Sequence, residues 1–150
     1  MGTGRIEKSN AGAIPPVGRR SEMTYAAPDG SDIRLIVGET ELATAASLCE
    51  ATLSAGETSR AVRHRQVEEI WYFLEGDGMV WRCAPGADPE STEPVPVRPG
   101  DALVIPAGWS FQFRASLEGP LRFLCYTSPP WPGPDEAAPA AQSGLGPPTV

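Results

Sequence analysis

Turn signals recur along this chain at short, regular intervals: Pro28-Asp29-Gly30, Ser54-Ala55-Gly56, Glu75-Gly76-Asp77-Gly78, Pro99-Gly100-Asp101 and Pro106-Ala107-Gly108. Proline fixes φ and glycine admits positive φ, so these clusters break the backbone before a long helix can form. They bracket eight short apolar runs, Ile33–Val37, Ala45–Leu53, Ala61–Val67, Ile70–Leu74, Met79–Cys83, Ala102–Ile105, Ser110–Arg114 and Leu121–Tyr126. Runs of that length and spacing predict an antiparallel all-β sandwich or barrel. With 16 glycines and 17 prolines in 150 residues, the composition suits short strands and many corners, and the length suits one domain.

One segment is ambiguous. Glu41–Leu53 (ELATAASLCEATL) is helix-friendly by propensity, but its flanking elements read as strands, so strand is the stronger reading. Ala84–Pro94, polar and holding Pro85, Gly86 and Pro89, reads as a long surface loop.

The ends differ from the middle. Residues 1–20 are polar and broken by Gly and Pro, an irregular arm. Residues 132–150 (PGPDEAAPAAQSGLGPPTV) have Leu145 and Val150 as their only large apolar side chains, and a disordered tail is expected there. The barrel then spans 21–131. Thr127–Gly133 (TSPPWPG) is stiffened by proline and carries Trp131, so it is expected to fold back over an edge strand or a barrel mouth, or to act as a lid.

Charge and cysteine usage narrow the partners. Twelve Lys+Arg against 19 Asp+Glu give a formal charge of -7, which repels polyanions and argues against nucleic acid. Cys49, Cys83 and Cys125 are odd in number and widely spaced, without a C-x-x-C pair, which indicates neither a disulfide framework nor a thiolate zinc site. No segment has the apolar length of a membrane span and the N-terminus has no signal-like apolar region, so a cytoplasmic protein is expected.

Two segments carry a family resemblance. Gly56–Gly76 (GETSRAVRHRQVEEIWYFLEG) resembles the first motif of the cupin family: G, five residues, H-x-H, three or four residues, E, six residues, G. Counted from Gly56, the two histidine positions fall on Val62 and His64, the glutamate on Glu69 and the last glycine on Gly76. Gly100–Ala115 (GDALVIPAGWSFQFRA) resembles the second motif, with Gly100, Pro106 and Gly108 in register but Phe111 at the histidine position and Ala115 at the asparagine position. The resemblance implies a double-stranded β-helix, or jelly-roll barrel, and a homodimer. It also implies a divalent metal held by three histidines and a glutamate, of which only His64 and Glu69 are present. Two protein donors fall short of the three usual at a catalytic zinc, so no cofactor is expected, with a weakly held divalent metal on His64 and Glu69 as the alternative.

A three-residue gap before Glu69 gives a rival register, with Arg63 and Arg65 inside and His64 outside; the Gly56 count and the cost of burying unpaired charge favour His64 inside. With Glu69 inward, alternation also turns Trp71 and Phe73 inward, and by the same parity Trp109, Phe111 and Phe113. The expected site is an aromatic pocket lined by these residues and by Val62, Gln66 and Tyr126, with His64 and Glu69 as a general acid/base pair. The chain then reads as an isomerase, cyclase or lyase acting on an apolar or aromatic small molecule. Its Ala, Gly, Pro and Arg bias suits a GC-rich bacterial genome, where similar small cupins accompany biosynthetic pathways. A non-catalytic binding or dimerisation module and a metal-dependent oxygenase are the alternatives.

Overall fold

The computed structural model describes residues 12–150. The part of the N-terminal arm before residue 12 lies outside the described residues; 12–20 has no regular structure and runs close to the 32–37 strand, where a Cβ on Gly18 would stand 2.4 Å from the Ile36 carbonyl oxygen. Eleven strands follow among the described residues: β1 (Tyr25–Ala26), β2 (Asp32–Val37), β3 (Ser47–Leu53), β4 (Val62–His64), β5 (Glu68–Glu75), β6 (Gly78–Cys83), β7 (Val95–Val97), β8 (Ala102–Ile105), β9 (Ser110–Ala115), β10 (Leu121–Ser128) and β11 (Ala137–Pro139). No α-helix occurs among them. Glu41–Leu53 is a 3-10 turn ending at Glu41 followed by β3, and the Ala84–Pro94 loop holds one short 3-10 turn at Pro89–Ser91.

Two antiparallel sheets, ordered β1-β2-β3-β10-β5-β8 and β11-β4-β9-β6-β7, face each other as a jelly-roll barrel. Alternation sets the interior. In β5, Glu69, Trp71 and Phe73 point in while Ile70 and Tyr72 point out; in β10, Leu121, Phe123, Cys125 and Thr127 point in. Trp71, Phe73, Phe111, Phe113 and Phe123 pack ring against ring, with Trp71 stacked on Phe123 at 4.3 Å between centroids. Gly76 makes the β5–β6 corner possible: at φ 81°, a Cβ there would sit 1.9 Å from the Pro120 carbonyl oxygen.

The C-terminal segment corrects the sequence reading. Residues 132–150 are not a loose tail but a strap that adds the edge strand β11 to the five-stranded sheet and then crosses its outer face over Gln112 and Trp81. β11 pairs with β4 (Ala137 opposite His64, Pro139 opposite Val62), and the Ala140 amide bonds the Ala61 carbonyl at 3.0 Å. Further on, the buried Gln112 amide is fully used: its Nε2 donates to the Ser59 and Gly146 carbonyls (2.9 and 2.8 Å), and its Oε1 accepts from the Gly144 and Leu145 amides (3.1 and 2.7 Å). Gly144 lies so close over Trp81 that a Cβ would be 2.2 Å from the indole. Val150 packs against the core. On the strap's side these are backbone hydrogen bonds, which need no apolar pattern in the strap, so its order leaves no trace in the hydrophobic periodicity.

Candidate functional site

β4 enters the barrel mouth with Val62 and His64 turned inward and Arg63 turned out. The chain then bends at Arg65–Gln66, both exposed, before Val67 turns in and β5 brings Glu69 in. The rival register with Arg63 and Arg65 inside does not occur. Val62 lies opposite Phe111 across the β4–β9 pair. The four positions that correspond to the family's metal ligands, Val62, His64, Glu69 and Phe111, thus converge on one end of the barrel.

His64 and Glu69 are each only 5% exposed. The Nδ1 of His64 stands 3.4 Å from Glu69 Oε2 and has no hydrogen-bond partner among the described residues. Glu69 Oε1 accepts a 2.7 Å hydrogen bond from the Trp71 indole N–H, and the Cys125 thiol neighbours the same carboxyl group. Two rings flank the imidazole edge-on, Phe111 at 5.1 Å and Trp131 at 5.0 Å between centroids. Trp131 arrives on the chain leaving β10, where its amide bonds Ser47 Oγ at 3.0 Å.

Burial governs the charges. Loss of water pushes the His64 imidazole down to about 4, which the nearby Glu136 carboxylate only partly offsets. Loss of water likewise pushes the Glu69 carboxyl up to about 7, against the downward pull of the Trp71 hydrogen bond and the neighbouring Cys125 thiol. The imidazole is therefore neutral at neutral pH while the carboxyl is poised between its acid and its anion.

The donor set does not fit a divalent metal. Val62 and Phe111 carry no donor atom, and the Phe111 ring fills the third ligand's place beside His64.

The expected aromatic pocket takes a different form. Trp71, Phe73, Phe111 and Phe113 are inside, but they fill the barrel as a packed core rather than line a cavity. Gln66 and Tyr126 are not pocket residues. Gln66 sits exposed on the bend that interrupts strand alternation after His64, and Tyr126, 42% exposed, has the outward parity of β10. Trp109 is half-buried on the Pro106–Trp109 turn before β9. Sequence reasoning missed two neighbours of the pair. Cys125 lies opposite Trp71 on β5 and opposite Cys49 on β3, a position alternation from Phe123 would have given. Glu136, in the presumed tail, offered no such signal.

A family model described as "Cupin domain" matches residues 49–127. An uncharacterized protein of Methanocaldococcus jannaschii is 32% identical over 108 residues, 71% of this chain and 80% of the relative. Among solved structures, oxalate decarboxylase of Bacillus subtilis superposes with a TM-score of 0.70 at 16% identity; the match covers 85% of this chain and 33% of the decarboxylase. Pac13 of Streptomyces, described as a nucleoside dehydratase, gives 0.59 at 12% identity over 79% of this chain and 83% of its own. The Drosophila melanogaster CENP-C bound to CAL1 gives 0.61 at 17% identity, covering 85% and 95%.

Proposed function

This chain belongs to the cupin family, and we propose that it is a metal-independent small-molecule enzyme of the isomerase, cyclase or lyase kind, working by proton transfer between Glu69 and His64. The observation that carries this reading is the buried 3.4 Å approach of Nδ1 to Glu69 Oε2, with Nδ1 committed to no other group. A protonated carboxyl beside a neutral imidazole is a matched acid and base: Glu69 gives a proton from Oε2 to one substrate atom, and His64 takes one from another. Trp71 holds the opposite carboxyl oxygen and so fixes which oxygen faces the imidazole.

The substrate class follows from what covers the pair. An indole stands edge-on to His64, so a molecule that replaces Trp131 there meets the flank of an imidazole and the Phe111 ring, which suits an apolar or aromatic compound. Three free thiols, among the described residues, suit a reducing cytoplasm.

The test is a screen of aromatic and polyketide-like compounds in deuterated water, read by NMR for exchange of carbon-bound protons. The wild-type chain should catalyse exchange in at least one compound, and His64→Gln and Glu69→Gln should each lower it by about 10² to 10⁴. Exchange that survives both substitutions rejects the pair. A second reading, a binding module without catalysis, is favoured by the aromatic filling of the barrel. It expects no exchange above the uncatalysed rate in any compound, and no difference between the wild-type chain and the two variants.

A further inference from the structure

Glu136 is an acidic side chain only 5% exposed, yet it has no cationic partner among the described residues. Its Oε2 instead accepts two backbone hydrogen bonds, from Gln66 at 2.6 Å and Val67 at 2.7 Å. Successive amides that converge on one oxygen make a small anion-binding concavity, and short bonds to a carboxylate are the strong kind. The two amides lie in the turn between β4 and β5, after His64 and before Glu69.

The same short segment covers both features. Trp131 closes over His64, and five residues later Glu136 fills the amide pair. The connection is also hydrogen-bonded to the turn. Arg65 bonds it through its amide to the Glu136 carbonyl (3.0 Å) and through Nε to the Asp135 carbonyl (2.9 Å). Beyond it, β11 is three residues long and ends in a proline that donates no hydrogen bond. A cleft of about 510 Å³ runs along this junction, lined by Arg65, Gln66, Pro132, Gly133, Asp135 and Glu136. Were this segment to lift, the His64–Glu69 pair, the amide concavity and the Arg65 guanidinium would be uncovered in one movement.

We propose that the Gln66 and Val67 amides form a carboxylate-binding site, filled in this closed state by the chain's own Glu136, and that a small carboxylate-bearing ligand displaces Glu136 as residues 131–139 lift. An aromatic carboxylate suits the site best, because its ring takes the place of Trp131 while its anion takes the place of Glu136. That this ligand is a substrate rests on the proton-transfer reading above; that the site binds it does not.

An internal carboxylate competes as a tethered ligand at millimolar or higher effective concentration, which gives the test its sign. The probe is benzoate, titrated into the full-length 15N-labelled chain, with methyl benzoate and chloride as controls. Benzoate should shift the Gln66 and Val67 amide signals and the Trp131 indole N–H signal saturably, and the controls should shift none of them. Glu136→Ala, which removes the competitor, should bind benzoate at least tenfold more tightly. A folded Glu136→Ala chain that binds benzoate no better than wild type, or responds equally to methyl benzoate, overturns the proposal. The wild-type titration keeps it testable if that variant does not fold: no response at the two amides up to roughly 100 mM overturns it as well. Benzoate binding is read at the Gln66 and Val67 amides and catalysis at the substrate's carbon-bound protons, so failure of the carboxylate site and failure of the proton-transfer pair are read separately.

Discussion

The imidazole of His64 and the indole of Trp131 meet edge to face, with centroids 5.0 Å apart and planes at 64°. Sixty-seven positions separate them in sequence, and their contact seals the only histidine of the chain from water. Because loss of water is the main cause of the lowered His64 pKa, Trp131→Ala should raise it from about 4 toward 6.5. A single histidine makes the reading direct: one ring-proton NMR titration in wild type and variant. A midpoint that stays near 4 in the variant would mean that Phe111 and the barrel wall alone keep the ring dry.

The pair also sets a pH dependence of stability. Glu69 has a folded pKa raised from 4.5 to about 7, so the folded state holds its proton more tightly and this group costs stability as pH rises from 4.5 to 7. His64 has a folded pKa lowered from 6.5 to about 4, so the unfolded state holds its proton more tightly and stability rises with pH from 4 to 6.5. Between about 4.5 and 6.5 the two slopes oppose each other, and the wild-type contribution of the pair is nearly flat. Each single substitution exposes the other slope. His64→Gln should lose stability with rising pH, and Glu69→Gln should gain it, each by up to about 1.4 kcal/mol per pH unit. Urea unfolding at pH 4.5, 5.5 and 6.5 measures both; parallel pH profiles for the two variants would contradict the assignment.

Much of this architecture is legible in the sequence because it is local. The motif glycines adopt positive φ, and turns of that kind announce themselves by residue type. Inward parity in β5 follows from Glu69, Trp71 and Phe73 once the Gly56 count is made. Parity fails where the backbone stops alternating, as at the Arg65–Gln66 bend, and where both faces of a strand are apolar, as for Cys125 and Tyr126 on β10. The strap was illegible for a third reason. Its order comes from groups on other elements, the Gln112 amide, the β4 edge and the Gln66 and Val67 amides, so nothing in PGPDEAAPAA records it.

Gln112 should therefore be the residue on which the strap depends. Gln112→Leu fills the space but deserts two carbonyls and two amides, a loss of about 1–3 kcal/mol as the strap detaches to rehydrate them. Limited proteolysis should then cut within residues 140–150 of the variant while the wild-type chain resists. Equal resistance with an unchanged urea midpoint would show that β11 and Val150 hold the strap without Gln112.

The homodimer implied by the family has a surface suited to it on the outer face of the six-stranded sheet. Leu48, Tyr126, Ile70 and Val104 stand in one cross-strand row, with Leu124 and Tyr72 in the next. Ile70, Tyr72, Val104 and Tyr126 are each 40–47% exposed, an apolar patch larger than isolated surface residues need. Light scattering should give twice the chain mass of 15.9 kDa for wild type and the monomer mass for Ile70→Glu with Tyr126→Glu. A wild-type monomer rejects the dimer; a dimer that survives both charges places its interface elsewhere.

The loss of the metal site is a question of two side chains, and it is reversible on paper. Val62 and Phe111 are cross-strand partners on β4 and β9, with His64 two residues along β4 and in ring contact with Phe111, so Val62→His with Phe111→His would complete a set of three imidazoles and one carboxylate at the barrel mouth. Imidazole is smaller than the Phe111 ring, so a fully buried site loses packing, and the double variant should be less stable without metal. Metal binds only the folded site, so the loss should be recovered when nickel or zinc is added. Calorimetry should show one ion per chain, bound at least roughly 100-fold more tightly than by wild type. Equal affinity in the two proteins would mean that Val62 and Phe111 are not what closes the site.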